Sequence, residues 1–459
     1  MSVRGGGVGG RKSVMRTIAR IPYCGYGIHS IDPCQPTFDS FPRRPRGATD
    51  APPAPMPVPT LPFASLWVSP FRPFCVLGVA YGVVLMAVWI AVNAGLVPGG
   101  GGMVAGQAWH GHEMLFGFAA AIVCAIALTA LPGWAGTPEI RGAPLAGLAM
   151  LWVVARVAYW GREALPQWGA VAASIALWVV LIALLAAQLA RVAHRAYLLI
   201  LVVLGGILAG EALFMTGFAA AGLLAATYAL VLLFALAGGV FTPVFTGNHL
   251  RATGRGGQPP FLRPLEGASI GVIVVLALVN LAGAPAPWRA AVALAAFALH
   301  AVRLARWRGW KVLDAPLLWT MHAGYAWMVV AFLLAALGDL GIAGAARAWL
   351  HAFTVGALGS AMIGLMTRVA LRHTGRPLVL PAAIVAAHGL VQAAALVRVG
   401  AAIAGGGDAW VVVAGLAWVT AFAIHFRTYG PILVRPSLPR VDASPLDADS
   451  RPPSSRGGH

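Results

Sequence analysis

The stretch WHGHEMLFGF, Trp109 to Phe118, brings two imidazoles and a carboxyl group together at the start of a long apolar run. Imidazole nitrogens bind both iron and copper, so His110 and His112 are candidate haem or metal ligands. On a regular helix, residues i and i+2 point roughly 200° apart, so both rings can reach one ion only if His110 precedes the helix. Otherwise the two histidines serve different partners. Glu113 is placed to accept a hydrogen bond from an imidazole N–H and so support a ligand.

Four further ionisable residues interrupt apolar segments at a similar depth. Taken singly, each is explained by an interfacial position or by a Glu–Arg pair whose charges cancel. Ionisable groups inside membrane helices are costly, however, and usually face a bundle interior or a cavity. As a set, they favour a binding site near the outer membrane face. The residues of this predicted site are His110, His112, Glu113, Arg156, Glu211, His351 and Arg398.

Other histidines fall toward the inner ends of the apolar segments. His300 and His425 lie beside arginine-rich helix ends, where we expect them to reach the lipid headgroups. His388, on a face of small residues, is typical of a hydrogen-bonded packing residue. His322 is the better ligand candidate, because it lies about 10 Å from the inner end among aromatic residues. His373 is about 33 Å along the tenth helix from the histidine near that helix's outer end, so these two cannot share one metal.

The elements that carry these residues are membrane-spanning helices. The 459-residue chain is 59% hydrophobic and 10% charged, with a mean hydropathy of +0.80. A soluble protein cannot bury that much apolar surface, so we predict an all-α polytopic membrane protein with about twelve transmembrane helices. The predicted spans are 74–97, 111–134, 142–160, 168–190, 196–218, 220–245, 262–283, 287–306, 315–338, 344–371, 378–403 and 409–433.

The distribution of basic residues predicts the orientation. The net charge is +18, but arginines concentrate in the tails and in alternate connections, as in membrane proteins rather than in nucleic-acid binders. We therefore expect both termini to be cytoplasmic, in the inner membrane of a bacterium, with the lipid bilayer as a partner and no nucleic acid. Residues 67–434 form the predicted membrane domain. The basic Pro/Gly-rich segment 1–66 and the segment 435–459 are expected to be disordered.

The twelve predicted helices divide into three groups of four, and the second, sixth and tenth show a weak repeat. The general likeness of helices rich in alanine, glycine and leucine explains it equally well. If the repeat is real, the chain is distantly similar to the pseudo-threefold catalytic subunit of haem–copper oxidases. By that analogy, His351 faces either His110 or His112 across a haem iron. Arg156 or Arg398 then pairs with the haem propionates.

Several segments resemble the NnrS family, membrane proteins associated with the nitric-oxide response and described as haem- and copper-containing. The likeness covers about 71–434, with the order and spacing of the blocks intact. Two departures concern residues: Val240 replaces an arginine of the family, and Ala443 replaces the glycine of a C-terminal Arg-X-Asp-Gly ending. The blocks that carry the likeness are FRPF (71–74), WHGHEMLFGF (109–118), the less specific GGVFTPVFTGN (238–248), LLWTMHAGYAW (317–327) and LHAFTVGALGSAMIGLMTRVALRHTGRPL (350–378).

The resemblance implies a metal-binding set of histidines, a haem that is b-type, and copper as a further candidate cofactor. The histidines that match the family are His110, His112, His322, His351 and His373. The implied function is relief of nitric-oxide or nitrosative stress, or denitrification-linked metabolism, with nitric oxide as a candidate ligand. Reductase, sensor and metal-protective roles all fit, so enzymatic turnover stays open and the electron donor is unknown.

Two features of the sequence bear on the alternatives. The sixth and seventh helices lack the clustered histidines of an oxidase-type binuclear centre, so we do not expect one. A twelve-helix secondary transporter without haem is the competing function, because Gly/Pro breaks such as GGVFTPVFTG would serve it. Against a transporter stand the absence of a substrate motif and the number of histidines.

Overall fold

The protein, as a computed structural model, is described over residues 63–97, 106–190, 192 and 195–439. Within these ranges eleven helices are long and apolar enough to cross a membrane, and the shorter apolar helix Leu199–Met215 brings the number to twelve. The predicted all-α polytopic fold is thereby confirmed. Most of the two predicted disordered tails lies outside the described residues.

The twelve helices follow the predicted spans closely. Lipid cannot hydrogen-bond to the backbone, so each apolar segment satisfies its own peptide groups as a helix. Short 3₁₀ helices occur at Ala64–Val68, Arg195–Leu198 and Gly309–Lys311. In chain order the helices are α1 (Phe71–Asn93), α2 (106–135), α3 (Ala143–Trp160), α4 (Gln167–Leu189), α5 (Leu199–Met215), α6 (Ala219–Ala252), α7 (Arg263–Leu281), α8 (Ala286–Arg306), α9 (Pro316–Asp339), α10 (Ala343–His373), α11 (Ala382–Ala404) and α12 (Asp408–Leu433).

Two helix boundaries differ from the predicted ones in ways that affect the site. The first helical turn of α2 begins at Gly106, so His110 lies on the helix and not in the preceding loop. Helices α5 and α6, which are nearly continuous in the sequence, are separated by a tight turn in which Gly217 has φ +101°. Only glycine adopts that conformation readily, which explains why the apolar run breaks there.

The helices form a closed arrangement of three groups of four. The last helix of each group packs against the first helix of the next, in the pairs α4–α5, α8–α9 and α12–α1. Helices α2 and α10 are the most enclosed: 78% and 61% of their most apolar windows are buried, against 22% for α7. The segments with the predicted outer histidines are thus interior elements.

Both of these interior helices contain one stretch of π-helix. In α2 it covers Glu113–Ala119, and in α10 it covers Ala352–Leu358. Each stretch begins directly after a histidine, His112 in α2 and His351 in α10. π-helical turns are rare and occur frequently at functional sites. The wider hydrogen-bonded ring changes the direction of the helix face at the level where the predicted ligands lie.

Candidate functional site

His112 lies between two carboxyl groups in the interior of the bundle. Its side chain is 0% exposed, its Nδ1 is 2.8 Å from Oε1 of Glu113, and its Nε2 is 3.2 Å from Oε1 of Glu211. The ring also stacks on Tyr159, with 3.7 Å between ring centroids. Both ring nitrogens can form hydrogen bonds to carboxyl groups only if both nitrogens are protonated or if one carboxyl group carries a proton. His112 therefore has no lone pair free for a metal.

Glu113 is the centre of a wider network that α1, α2 and α3 build together. Arg156 donates to its Oε1 at 2.5 Å, and both residues are buried. Tyr81 donates its hydroxyl to Oε2, and the indole of Trp160 lies 2.8 Å from the Tyr81 oxygen. A buried charge is tolerated when it is paired and its lone pairs are satisfied, and Glu113 meets both conditions. Of the two neighbouring histidines, Glu113 therefore supports His112.

His110 faces a different part of the bundle from His112, as the helix geometry predicts. Its ring stacks on Trp89 at 4.5 Å between centroids. It interacts electrostatically with Arg398 on α11 and with His351 on α10. The Nδ1 atoms of both His110 and His351 are buried without a hydrogen-bond partner of standard geometry, although the backbone of Arg347 contributes to the environment of His351. The structure thus brings His110, His351 and Arg398 together, and leaves His112 outside this group.

The two arginines that were predicted to bind propionates are in different states. Arg156 is held by Glu113, so its charge is already balanced. Arg398 makes no ion pair with any residue of the described segments, and it is partly buried beside the two histidines. An unbalanced guanidinium favours an anionic group in its neighbourhood and disfavours a bare cation.

The π-helical stretches of α2 and α10 share a further residue. Gly117 and Gly356 stand at the same distance in sequence from His112 and His351. A Cβ atom on Gly117 would lie 2.7 Å from the ring of Tyr81, and one on Gly356 would lie 2.5 Å from the ring of Trp327. Each glycine therefore admits an aromatic side chain from the first helix of its own group. This pair supports an internal repeat between the first and third groups.

The predictions for His300 and His425 as headgroup-reaching side chains are wrong, because both are buried, at 0% and 2% exposure. His300 Nε2 donates to the carbonyl of Ser269 at 3.0 Å, and its Nδ1 lies 2.7 Å from the hydroxyl of Tyr325. Its two nitrogens are thus satisfied inside the bundle. Packing between neighbouring helices buries these positions, and the position along one helix does not indicate it.

The two inner histidines of the family pattern are separate from the outer group. His322 Nε2 lies 2.9 Å from the hydroxyl of Thr246, and its Nδ1 is buried without a partner beside Gly309. His373 is the last residue of α10 and packs against the ring of Phe71. In the described part of the chain, no group of three or more His, Cys, Asp or Glu side chains is arranged to hold a metal ion. The five family histidines therefore do not converge on one site.

One buried cluster was missed by the sequence interpretation. Arg303 donates to the hydroxyl of Tyr325 at 2.7 Å and to the carboxylate of Glu266. Its guanidinium covers Gly239, where a Cβ atom would overlap it, and the ring of Tyr325 covers Gly238. The absence of a Cβ atom at Gly238 and Gly239 therefore leaves room for the side chains of Tyr325 and Arg303. The signal was present in the sequence as a glycine pair within a helix, which is unfavourable unless something approaches closely.

The comparison with protein families agrees with the segments described above. The family model described as NnrS protein matches residues 65–437, which contain all twelve helices. They also contain the outer cluster, the name used here for His110, His112, Glu113, Arg156, Glu211, His351 and Arg398. No curated protein matches the chain.

Proposed function

Because the chain belongs to the NnrS family, a family of multi-helix membrane proteins to which its fold conforms, we propose that it is a haem-binding membrane protein of the nitric-oxide response. His110 of α2 and His351 of α10 would hold the haem iron. The proposal places the protein in the inner membrane of a bacterium with both termini in the cytoplasm. Nitric oxide is the proposed ligand.

The observation that carries the proposal is the pair of incompletely satisfied imidazoles on facing helices. The buried Nδ1 atoms of His110 and His351 have no hydrogen-bond partner of standard geometry, whereas both nitrogens of His112 are occupied by Glu113 and Glu211. Two imidazoles from facing helices can clamp a haem iron from both sides. The sequence leaves open which histidine of α2 is the haem ligand, and on this ground we propose His110 and not His112.

The charges around the pair support a haem over a bare metal ion. Arg398 lies beside both rings without a carboxylate partner, so a propionate of the haem would balance it. A divalent ion between the two imidazoles would instead face this positive charge. A bound haem would supply an iron centre, at which nitric oxide would have to replace one of the two imidazoles. The chain's own residues would orient the imidazoles, pair with a propionate and exclude water.

His112 acts indirectly in this proposal. Its ring is fixed by Glu113, Glu211 and Tyr159, so it anchors the turn of α2 that carries His110. Arg156 keeps the buried Glu113 charge-balanced. Copper, the second proposed cofactor, is disfavoured between His110 and His351, because the unbalanced charge of Arg398 lies beside both rings.

The test is the reduced-minus-oxidised visible spectrum and the metal content of the full-length protein purified in detergent. We expect a Soret band in protein made with ample haem. His110→Ala and His351→Ala should each lose or shift it. His112→Gln should retain the band and lower the stability, and the control His425→Gln should leave the band largely unchanged.

Two outcomes would remove parts of the proposal. Absence of a Soret band from the wild-type protein would exclude haem binding and favour the transporter alternative, in which the buried carboxyl groups of Glu113 and Glu211 carry protons. An unchanged spectrum in His351→Ala would exclude the His110–His351 clamp even if haem is present.

A further inference from the structure

A cleft lies beside the turn that joins α8 to α9, at the opposite end of the bundle from the outer cluster. Its volume is about 370 Å³, and its lining residues are Arg255, Trp310, Lys311, Leu313 and Asp314. Trp310 and Leu313 are 63% and 68% exposed, although both side chains are apolar. Lys311 is exposed as well, and the part of the chain that the structure describes contains no other lysine. The cleft therefore combines two exposed apolar side chains with an ammonium group.

The turn beside the cleft is fixed against the bundle. Arg308 has φ +57°, a left-handed conformation that a residue with a side chain rarely adopts. The backbone at Gly309 packs on the ring of His322, because a Cβ atom there would lie 2.6 Å from Nδ1 of that ring. Trp307 is 3% exposed, so it anchors the turn in the protein interior. Strained backbone persists only where its surroundings hold it, so the exposed side chains of the turn start from a fixed position.

An ion pair forms another wall of the cleft. Arg255, in the connection between α6 and α7, donates from Nη1 to Oδ1 of Asp314 at 3.0 Å and from Nη2 to Oδ2 at 2.7 Å. The charges of these two residues cancel. None of the ion pairs in the described ranges involves Lys311 or Arg308. The turn therefore carries unbalanced positive charge beside the cleft, which favours an anionic ligand.

The position along the chain places the cleft at the membrane boundary. Trp310 comes four residues after the end of α8, and Leu313 comes three residues before the start of α9. Both helices are long and apolar enough to cross a membrane. Tryptophan is enriched where a span meets the lipid headgroups, and basic residues at that level attract anionic lipids. Exposed apolar side chains beside an unbalanced charge match an amphiphilic anion better than a water-soluble one.

We propose that this cleft binds the headgroup of an anionic phospholipid. Lys311 pairs with the lipid phosphate, and the indole N–H of Trp310 donates to the headgroup oxygens. Leu313 packs against the upper part of an acyl chain. The site is separate from His110 and His351, and it does not depend on haem there.

The scarcity of lysine gives a direct test, because the amine of Lys311 reports on the cleft. The full-length protein is placed in nanodiscs of phosphatidylcholine, with and without phosphatidylglycerol, and treated with a limiting amount of an amine-acylating reagent. Peptide mass spectrometry measures the rate of acylation at this residue. We expect phosphatidylglycerol to slow it about 10-fold, in line with one hydrogen bond between charged groups.

A second amine on the same side of the membrane separates a site from the general charge of the bilayer. The matched control is Arg372→Lys, because position 372 is exposed near the end of α10 and does not line the cleft. The amine that this substitution introduces experiences the surface charge of the membrane alone. We expect phosphatidylglycerol to slow its acylation much less than that of Lys311.

Native mass spectrometry of the protein in detergent, titrated with phosphatidylglycerol, tests the two side chains. We expect Lys311→Gln to weaken binding of the tightest lipid about 10-fold, and Lys311→Arg to retain it. Trp310→Ala should also weaken binding, whereas the control Trp288→Ala should not. Trp288 is 67% exposed at the other end of α8, beside Arg289, whose charge Asp339 already balances.

Four results would overturn the proposal. The first is acylation of Lys311 at the same rate with and without phosphatidylglycerol, and the second is equal slowing at the amine of Arg372→Lys, which would reflect only the charge of the membrane. The third is binding of phosphatidylglycerol by Lys311→Gln as tightly as by the wild type. The fourth is equal protection of Lys311 by inorganic phosphate in detergent, which would make the cleft a site for a small anion and not for a lipid.

Discussion

At the scale of single residues, the outer cluster shows how a membrane protein keeps charges in its interior. Glu113 and Arg156 form a direct pair, and Tyr81 and Trp160 occupy the second carboxylate oxygen. Removal of one partner from such a pair leaves the other charge buried, whereas removal of both leaves none. The stability of the cluster therefore depends on the match between its members more than on any one of them.

This dependence gives a prediction for Arg156. The substitution Arg156→Leu should lower the free energy of unfolding by about 3–5 kcal/mol, because the Glu113 charge is then unpaired. The double variant Glu113→Gln/Arg156→Leu should recover part of that loss. Unfolding of each purified variant in detergent, followed by circular dichroism, measures the difference. Equal stability of the single and double variants would show that the unpaired charge is not the cause.

The residue types of the outer cluster could be predicted from the sequence, but their pairing could not. Helix rise puts His112, Glu211 and Arg156 at one depth, and in the structure His112 contacts Glu211 directly and Arg156 through Glu113. Rotation about each helix axis is set by packing between distant segments. The position along the chain therefore did not indicate that His110, and not His112, faces His351.

At the scale of elements, the π-helical stretches of α2 and α10 are the feature that sequence periodicity did not reveal. Apart from Glu113 and Thr354, their residues are apolar or glycine, as in much of the flanking α-helix, so composition alone does not distinguish them. In the sequence, a glycine marks each stretch, because Gly117 and Gly356 each pack against an aromatic ring. The carbonyl of Gly117 also accepts a hydrogen bond from Trp152 at 3.1 Å, and that of Gly356 accepts one from Ser360 at 2.5 Å.

Alanine substitutions in these stretches test their packing. Gly117→Ala and Gly356→Ala should each destabilise the protein by about 1–3 kcal/mol, because the new methyl group overlaps Tyr81 or Trp327. Gly389→Ala in α11 is the matched control. Nothing lies within 4 Å of its added Cβ, so we expect no loss. Thermal unfolding midpoints compare the three, and a loss in the control as large as that in Gly117→Ala would contradict the argument.

At the scale of the whole molecule, Arg72 joins the two ends of the helical domain. It is 1% exposed and donates to the carbonyls of Leu433 and Arg435, at 2.6 and 2.7 Å, and to the hydroxyl of Ser437 at 2.8 Å. These groups belong to the free carbonyl end of α12 and the residues just after it. The arginine of the FRPF block thus caps the last helix from the first one, a role that its position in the sequence does not indicate.

We expect Arg72→Leu to destabilise the protein by at least roughly 1.5–3 kcal/mol, the range for one hydrogen bond to a charged group. The segment after α12 should become more accessible to added protease, because its anchor is lost. Arg427→Leu, at an exposed position of α12, is the control. It should change neither the stability nor the rate of proteolysis. Proteolysis of Arg72→Leu at the wild-type rate would show that the C-terminal end is held by other contacts.

The orientation of the whole domain is also open to test. Alternate connections carry the arginines, so a reporter active only in the cytoplasm should work when fused after residue 439. The same reporter should be inactive when inserted between Gly341 and Ile342, in the short turn between α9 and α10. The opposite pattern would reverse the assignment of the outer cluster to the outer face.

Since α12 packs against α1, the bundle has no seam that marks where the chain must begin. The described ends of the domain are tied together through Arg72, so a short linker could join residue 439 to residue 63. New termini could then be opened between Gly256 and Gly257, where no Cβ contact is close at Gly257 and the chain is exposed. Such a circular permutant begins and ends on the same membrane side as the natural order. We expect it to insert and fold, which would show that the order of the three groups along the gene is not required for their assembly.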